Sequence, residues 1–491
     1  MSSKNKTAEA GKKNWLLIVV AALLALLLIG GIAYGVLDST GALQRGRIAM
    51  ETENFEVTNT MMTYYFRTQY NNFVNQYGQY LSYFGLDTSK SLKSQYYDTA
   101  KTTTWFAYFM DSAVSQAEET LALCEQAKKN NLSLDDKDKK DIDDAIETLK
   151  AYAKMYGMSA NEYVSAMYGS GVKVKDVRAC FELSQLASKQ AKIMEDSYVY
   201  DEAARSAYAE EHKSNFYSAE YLTYSFTAEY DKDADDAAKT AAKEAAKALA
   251  DALAEKTTEE TFWQAIHDKK VEDAKAEAKE GEEPKAVEDK ADDYRSAKAF
   301  GETTDLEKWL FDSERKVGDT TVIEDGDDYD VYLVTKTVAK EEYLTVNVRH
   351  VLFGTEAYDS KDAAKAKAQE VMNSFKAGTV NEEEFAKLVK EYSTDTGSVE
   401  EGGLYENVYK GQMVDSFNDW CFDEARKAGD VDLVESDYGW HLMYYVGNGD
   451  AKWSMDADNA LKSDAYQKDL ESFKAAFPIT VNYENINKID A

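Results

Sequence analysis

Met62, Phe66, Tyr70, Phe73, Tyr77, Leu81 and Phe84 recur every three or four residues, the spacing of one helix face. They open a stretch, residues 50–215, whose pattern is helical almost throughout. Further helices are predicted around Thr103–Asn130, Asp135–Tyr156 and Val174–Asp196, with Gly157 and Gly169-Ser170-Gly171 as punctuation. From residue 216 onward the pattern changes. Short strand-like runs such as YLTYSF (Tyr221–Phe226) and VRHVLF (Val348–Phe353) alternate with amphipathic segments such as EETFWQAI and EEEFAKLV. Near the end, Leu461, Tyr466, Leu470 and Phe473 mark Asp456–Phe477 as a last amphipathic helix, stopped by Pro478 and followed by a strand, Ile479–Val481. A single helix of this kind cannot bury its stripe alone. Residues 449–491 are therefore expected to pack on the N-terminal helices and complete them.

One stretch breaks the amphipathic pattern. Trp15 to Leu37 contains no charged residue, and at 1.5 Å per residue it spans roughly 34 Å as a helix. That is enough for a hydrocarbon layer of about 30 Å and longer than the ~7–15-residue apolar region of a cleaved signal peptide, although Ala33-Tyr34-Gly35 resembles a cleavage site. Lys4, Lys6, Lys12 and Lys13 precede the run. The positive-inside rule then makes residues 1–14 a cytoplasmic tail, residues 15–37 a transmembrane helix, and everything after Asp38 extracytoplasmic. The expected location is the cell membrane, single-pass.

The strand-and-helix half carries an internal repeat. WLFDSERKVGDTTVIEDGDDYDVYLV (Trp309–Val334) aligns without a gap on WCFDEARKAGDVDLVESDYGWHLMYY (Trp420–Tyr445), at a constant offset of 111 residues. Two tandem copies of one α/β domain follow, residues 216–340 and 341–448. The first has Thr223 where the second has His350, Asp330 for His441, Glu302 for Met413 and Leu306 for Phe417. Its middle is the charged tract Asp268–Asp293, which has no apolar face and is expected to be a solvated loop or frayed helix.

Composition narrows the functional classes. The formal net charge is -33, which argues against nucleic acid as a partner, since phosphate binding needs clustered Lys and Arg. Three scattered cysteines (Cys124, Cys180 and Cys421) fit neither a disulfide framework nor a zinc site. No G-x-S-x-G or other nucleophile setting accompanies the histidines. His212 and His267 lie in polar predicted helices and carry no signal.

The run from Val346 to Val446 joins a strand with a central His, two amphipathic helices, a Gly-Gly turn and a second strand with a His. In order and wording it resembles the parvulin family of peptidyl-prolyl isomerases. The whole plan resembles the PrsA/SurA-type extracytoplasmic foldases. The resemblance implies an α+β protein with a mostly helical chaperone domain at 38–215, a degenerate parvulin-like domain at 216–340 and an isomerase domain at 341–448. It assigns His350, Asp395 and His441 to catalysis, and Leu404, Tyr405, Met413, Phe417 and Tyr438 to substrate binding, with no metal and no cofactor. The implied partners are unfolded or partly folded secreted polypeptides with X–Pro bonds, and a homodimer is compatible with the sequence. The alternative is a non-catalytic holdase, or a surface interaction protein that keeps relic parvulin folds.

Overall fold

A computed structural model describes residues 41–279 and 283–489. The chain divides into two compact units, one running to Val199 and resuming at Lys462, the other Tyr200–Leu461. Among the described residues no helix is long and apolar enough to cross a membrane. The apolar run Trp15–Leu37 lies outside them.

The first unit is helical: α1 (Asn59–Tyr77), α2 (Trp105–Lys129), α3 (Asp136–Met155), α4 (Ala160–Tyr168) and α5 (Val174–Ser197). Its helix starts are capped as local chemistry dictates. Thr58 and Thr104 accept the N–H groups of Met61 and Ala107, and Asp135 and Ser159 form capping boxes with Asp138 and Glu162. The predicted stripe divides in two. Met62 and Phe66 are core, packed with Trp105 and Phe109, whereas α1 stops at Tyr77 and Phe84 beyond it is 37% exposed. Gly78, a poor helix former, begins a 3-10 turn there.

The C-terminal helix, Lys452–Ala476, starts four residues before the expected Asp456. Within the first unit its Leu470 is buried with Ala122, Leu123 and Cys124 of α2 and Ala187 and Met194 of α5. Tyr466 donates to Glu119 Oε1 (2.9 Å) and Tyr198 to Asp469 (2.8 Å). The terminal strand Thr480–Val481 then pairs antiparallel with β1 (Ile48–Glu51), Met50 opposite Val481, and β2 (Glu56–Thr58) closes the sheet. The chain end thus supplies both a strand and a buried helix face to the chain start.

The second unit holds two four-stranded antiparallel sheets. The first comprises β3 (Tyr217–Thr227), β4 (Arg295–Ala299), β5 (Thr320–Asp325) and β6 (Asp328–Lys340), ordered β4-β3-β6-β5, with helices α6 (Asp236–Ala254) and α7 (Glu259–Glu277). The second comprises β7 (Leu344–Gly354), β8 (Leu404–Val408), β9 (Val431–Ser436) and β10 (Gly439–Ala451), ordered β8-β7-β10-β9, with α8 (Lys361–Ala377), α9 (Glu382–Tyr392) and α10 (Asp415–Cys421). The two sheets share order and register. Thr223 pairs with Tyr332 and Ser225 with Asp330, as His350 pairs with Met443 and Leu352 with His441. Phe262 and Phe385, equivalent in the two EE-x-F segments, are both fully buried against their own sheets.

The charged tract departs from the expectation of a loose segment at both ends. Helix α7 continues into it as far as Glu277. Near its far end, Asp289 lies 2.5 Å from His267 Nδ1 and accepts the Tyr294 hydroxyl. His267, featureless in sequence, fastens the tract to α7.

Leu470 is 2% exposed, and truncating a buried Leu costs about 2–5 kcal/mol. Leu470→Ala is expected to lower the unfolding free energy of the first unit, read from denaturant titration, by that amount. A loss below about 0.5 kcal/mol, the range of surface substitutions, would mean that the terminal helix adds nothing to this core.

Candidate active site

Strand pairing decides where the two histidines meet. His350 on β7 stands opposite Met443, and His441 on β10 opposite Leu352, so the two imidazoles are diagonal neighbours on one sheet face. Their rings are stacked at 5.3 Å, with Nδ1 to Nδ1 at 3.1 Å. Asp395 arrives from the turn after α9. That turn is pinned by the Thr394 N–H on Leu352 O (2.8 Å) and by the Gly354 N–H on Thr394 Oγ1 (3.0 Å). Asp395 Oδ2 then lies 2.9 Å from His350 Nε2.

The Gly-Gly turn is required by a close approach. Gly402 and Gly403 have φ of 64° and 73°, and the Gly403 carbonyl accepts the His350 N–H at 3.0 Å. A Cβ on Gly403 would stand 2.3 Å from His350 O, so only glycine brings the chain past His350 into β8.

Four donors converge on the Asp395 carboxylate. His350 Nε2, the Ser398 hydroxyl (2.5 Å) and the Tyr405 hydroxyl (3.2 Å) reach Oδ2, and the Gly397 N–H (3.0 Å) reaches Oδ1. The His350 hydrogen bond above all, with those of Ser398 and Gly397, holds Asp395 well below the usual carboxylate range despite its partial burial. Burial, with His350 adding to it, pushes His441 down to about 4, so at neutral pH this ring is uncharged. Around an ionised Asp395, one tautomer of each ring satisfies every contact. His350 donates from Nε2 to Asp395. His441 donates from Nδ1 to His350 Nδ1. Ser436 donates to His441 Nε2 at 2.7 Å and accepts the Tyr438 N–H at 3.1 Å.

Beside this chain lies a cleft of about 250 Å³, lined by His350, Leu352, Asp395, Tyr405, Met413, Val414, Phe417, Tyr438 and His441. Phe417, buried on α10, meets both imidazoles edge-on, at 5.7 Å and 79° for His350 and 5.5 Å and 88° for His441. Met413 is half-buried, while Val414 and Tyr438 form an exposed rim.

Seven of the eight residues singled out in the sequence therefore converge on one cleft. Leu404 does not. It pairs with Arg349 while Tyr405 pairs with Val348, and strand alternation points the two side chains to opposite faces. Leu352 and Val414 line the cleft without having been expected. Leu352 was legible as the residue two beyond His350 on the same face. Ser398 and Ser436 join through hydroxyl contacts that no spacing rule foretells.

Residues 332–446 match the PPIC-type PPIase domain family. Foldase protein PrsA 1 of Listeria innocua is 34% identical over 111 residues, covering 23% of this chain and 33% of its own length. Chaperone SurA of Alcanivorax borkumensis is 31% identical over 133 residues, covering 26% and 29%. The match thus spans about a third of each of these relatives. The crystal structure of peptidylprolyl isomerase PrsA from Bacillus anthracis overlaps 28% of this chain and 61% of its own at 20% identity and a TM-score of 0.19, which adds no weight. Residues 332–446 are a parvulin-type PPIase domain. Over about a quarter of its length the chain is similar to PrsA and SurA foldases.

The parvulin-type domain has a pH signature fixed by His441. Its folded-state value of about 4 lies below the ordinary 6.5, so between these values the unfolded chain binds more protons and stability rises with pH. The contribution is complete above 6.5 and lost as pH falls toward 4. Asp395 adds the same sign at lower pH, below its ordinary 3.8. His441→Gln is expected to reduce the slope of unfolding free energy between these pH values by up to about 1.4 kcal/mol per pH unit. Parallel slopes for the two proteins in denaturant titrations would show that His441 is not held neutral.

Proposed function

We propose that the parvulin-type domain catalyses cis–trans isomerisation of X–Pro bonds within a membrane-anchored, extracytoplasmic foldase that also holds unfolded secreted polypeptides. The observation that carries this reading is the hydrogen-bonded His441–His350 pair, tied to Asp395, beside an apolar cleft floored by Phe417. Rotation about an X–Pro bond requires losing amide resonance, across a barrier of about 18–20 kcal/mol. No bond is made or broken. In the transition state the amide is twisted, its nitrogen pyramidal and its carbonyl less polar than in the planar ground state. An apolar cleft beside the uncharged His441 imidazole favours that less polar species, and differential stabilisation of about 4 kcal/mol already gives a thousandfold acceleration.

A hydrolase reading has one point of support, the Ser436 hydroxyl 2.7 Å from His441 Nε2. Ser436 is buried, does not line the cleft, and already accepts the Tyr438 N–H. It is placed to orient His441, not to attack a carbonyl.

The remaining parts follow from the same reading. The first sheet keeps the fold while Thr223, Asp330, Glu302 and Leu306 replace the cleft residues, so it acts as a scaffold or peptide-binding domain. Holding of unfolded segments is assigned to the first unit, where Tyr80, Tyr83, Phe84, Tyr96 and Tyr97 stand exposed. Trp15–Leu37 supplies the anchor, on the sequence argument alone.

Fragment 341–448 carries its own sheet and its own buried clusters, as does 216–340. In a protease-coupled proline-peptide assay the first fragment is expected to accelerate cis–trans exchange and the second is not. Met413→Ala in the active fragment removes apolar surface from the cleft and raises KM severalfold. Equal activity of the two fragments, or activity in 216–340 alone, would overturn the assignment.

A further inference from the structure

Tyr405 is the one cleft residue whose side chain is both wall and hydrogen-bond donor to the carboxylate from β8. Its ring lies 5.2 Å from the His350 imidazole and its hydroxyl reaches Asp395 Oδ2 at 3.2 Å. We propose that Tyr405 is a positioning residue: its hydroxyl closes the donor shell of Asp395 on the cleft side and so keeps His350 in the Nε2–H tautomer while a peptide is bound. The inference rests on the isomerase reading above and deepens it by assigning what fixes the imidazole chain.

The donors to Asp395 divide by where they stand. Ser398 is buried and the Gly397 N–H belongs to the turn, whereas His350 and Tyr405 both line the cleft. Asp395 is also the only carboxylate among the lining residues, and none of them is Lys or Arg. Its charge is therefore contained by hydrogen bonds. Without the Tyr405 hydroxyl, an acceptor site on Oδ2 opens toward the cleft, free to attract a peptide N–H or a second proton on His350. Protonating His350 at Nδ1 forces His441 to accept there and to donate from Nε2, which reverses the bond to Ser436. Burial and the neighbouring carboxylate push the Tyr405 phenol up, so it keeps its proton and remains a donor.

The repeat gives a second, independent observation. In the first sheet Tyr221 pairs with Ser296 as Val348 pairs with Tyr405. The sheet that carries Thr223 and Asp330 in place of the histidines thus has Ser296 at this position. The long phenol occurs in the copy that has an imidazole chain to hold.

The test uses the full chain with 15N-labelled histidine, of which there are four. Tyr405→Phe keeps the ring and removes the hydroxyl; Tyr405→Leu removes both. The probe is a proline peptide followed by exchange NMR, alongside the imidazole 15N pattern of His350. Tyr405→Phe is expected to lower kcat roughly three- to tenfold, the effect of one ordinary hydrogen bond, with KM within about twofold of wild type. It should also replace the single Nε2–H pattern of His350 with a mixture. Tyr405→Leu should raise KM in addition. An unchanged His350 pattern in both variants overturns the proposal, whatever happens to kcat, and so does an altered pattern with wild-type kcat. If the wild-type chain does not isomerise the peptide, it is the isomerase reading that fails, and the 15N comparison still decides whether Tyr405 holds His350.

Discussion

Everything at the site depends on the register between β7 and β10. His350 opposite Met443 and His441 opposite Leu352 put the two imidazoles on one face within hydrogen-bonding distance. A slip of one residue would send one ring to the other side of the sheet. The register is held from both ends. Gly403 and Gly439 let backbone pass where a Cβ would collide with His350 O or Phe353 O, and Val351, Phe353, Leu442 and Tyr444 are buried against α8 and α9 on the opposite face. With the pair fixed, Asp395 and Ser436 each complete one free nitrogen, and Phe417 closes the apolar floor.

The two sheets separate what holds a fold from what makes a site. Phe262 and Phe385 occupy the same buried position, and Leu222, Val331 and Leu333 form a core like that of the second sheet. Burial of such side chains sustains the sheet whatever lines its other face. The cleft residues are under no such demand. A neutral imidazole taken out of water needs partners for both nitrogens, and the second sheet supplies them with Asp395 and Ser436. In the first, Asp330 stands in place of His441, and among the described residues its side chain receives a long contact of 3.4 Å from Tyr332.

The sequence was most legible where one chemical constraint acts alone. The constant offset between Trp309 and Trp420 foretold equal registers because aligned apolar positions must meet the same core. Leu470 foretold burial of the terminal helix, since an amphipathic stripe needs a partner. Legibility failed where two constraints compete. The stripe through Met62 and Phe66 continues by spacing to Phe84, yet Gly78 ends helical geometry first. Leu404 and Tyr405 are adjacent, and only pairing with β7 decides which faces the cleft. Ser398, Ser436 and His267 were silent because a polar group's role is set by the acceptor brought to it in three dimensions, not by its neighbours in sequence.

The central claim is that the site lowers the barrier to rotation by enclosing a twisted amide, with the histidines acting through hydrogen bonds and no proton moving in the transition state. The solvent isotope effect on isomerisation of a proline peptide by the full chain tests this most directly. Rotation without proton transfer gives a rate ratio of about 1 between H2O and D2O; a ratio of about 2 or more would place a proton in flight at His350 or His441 and contradict the account.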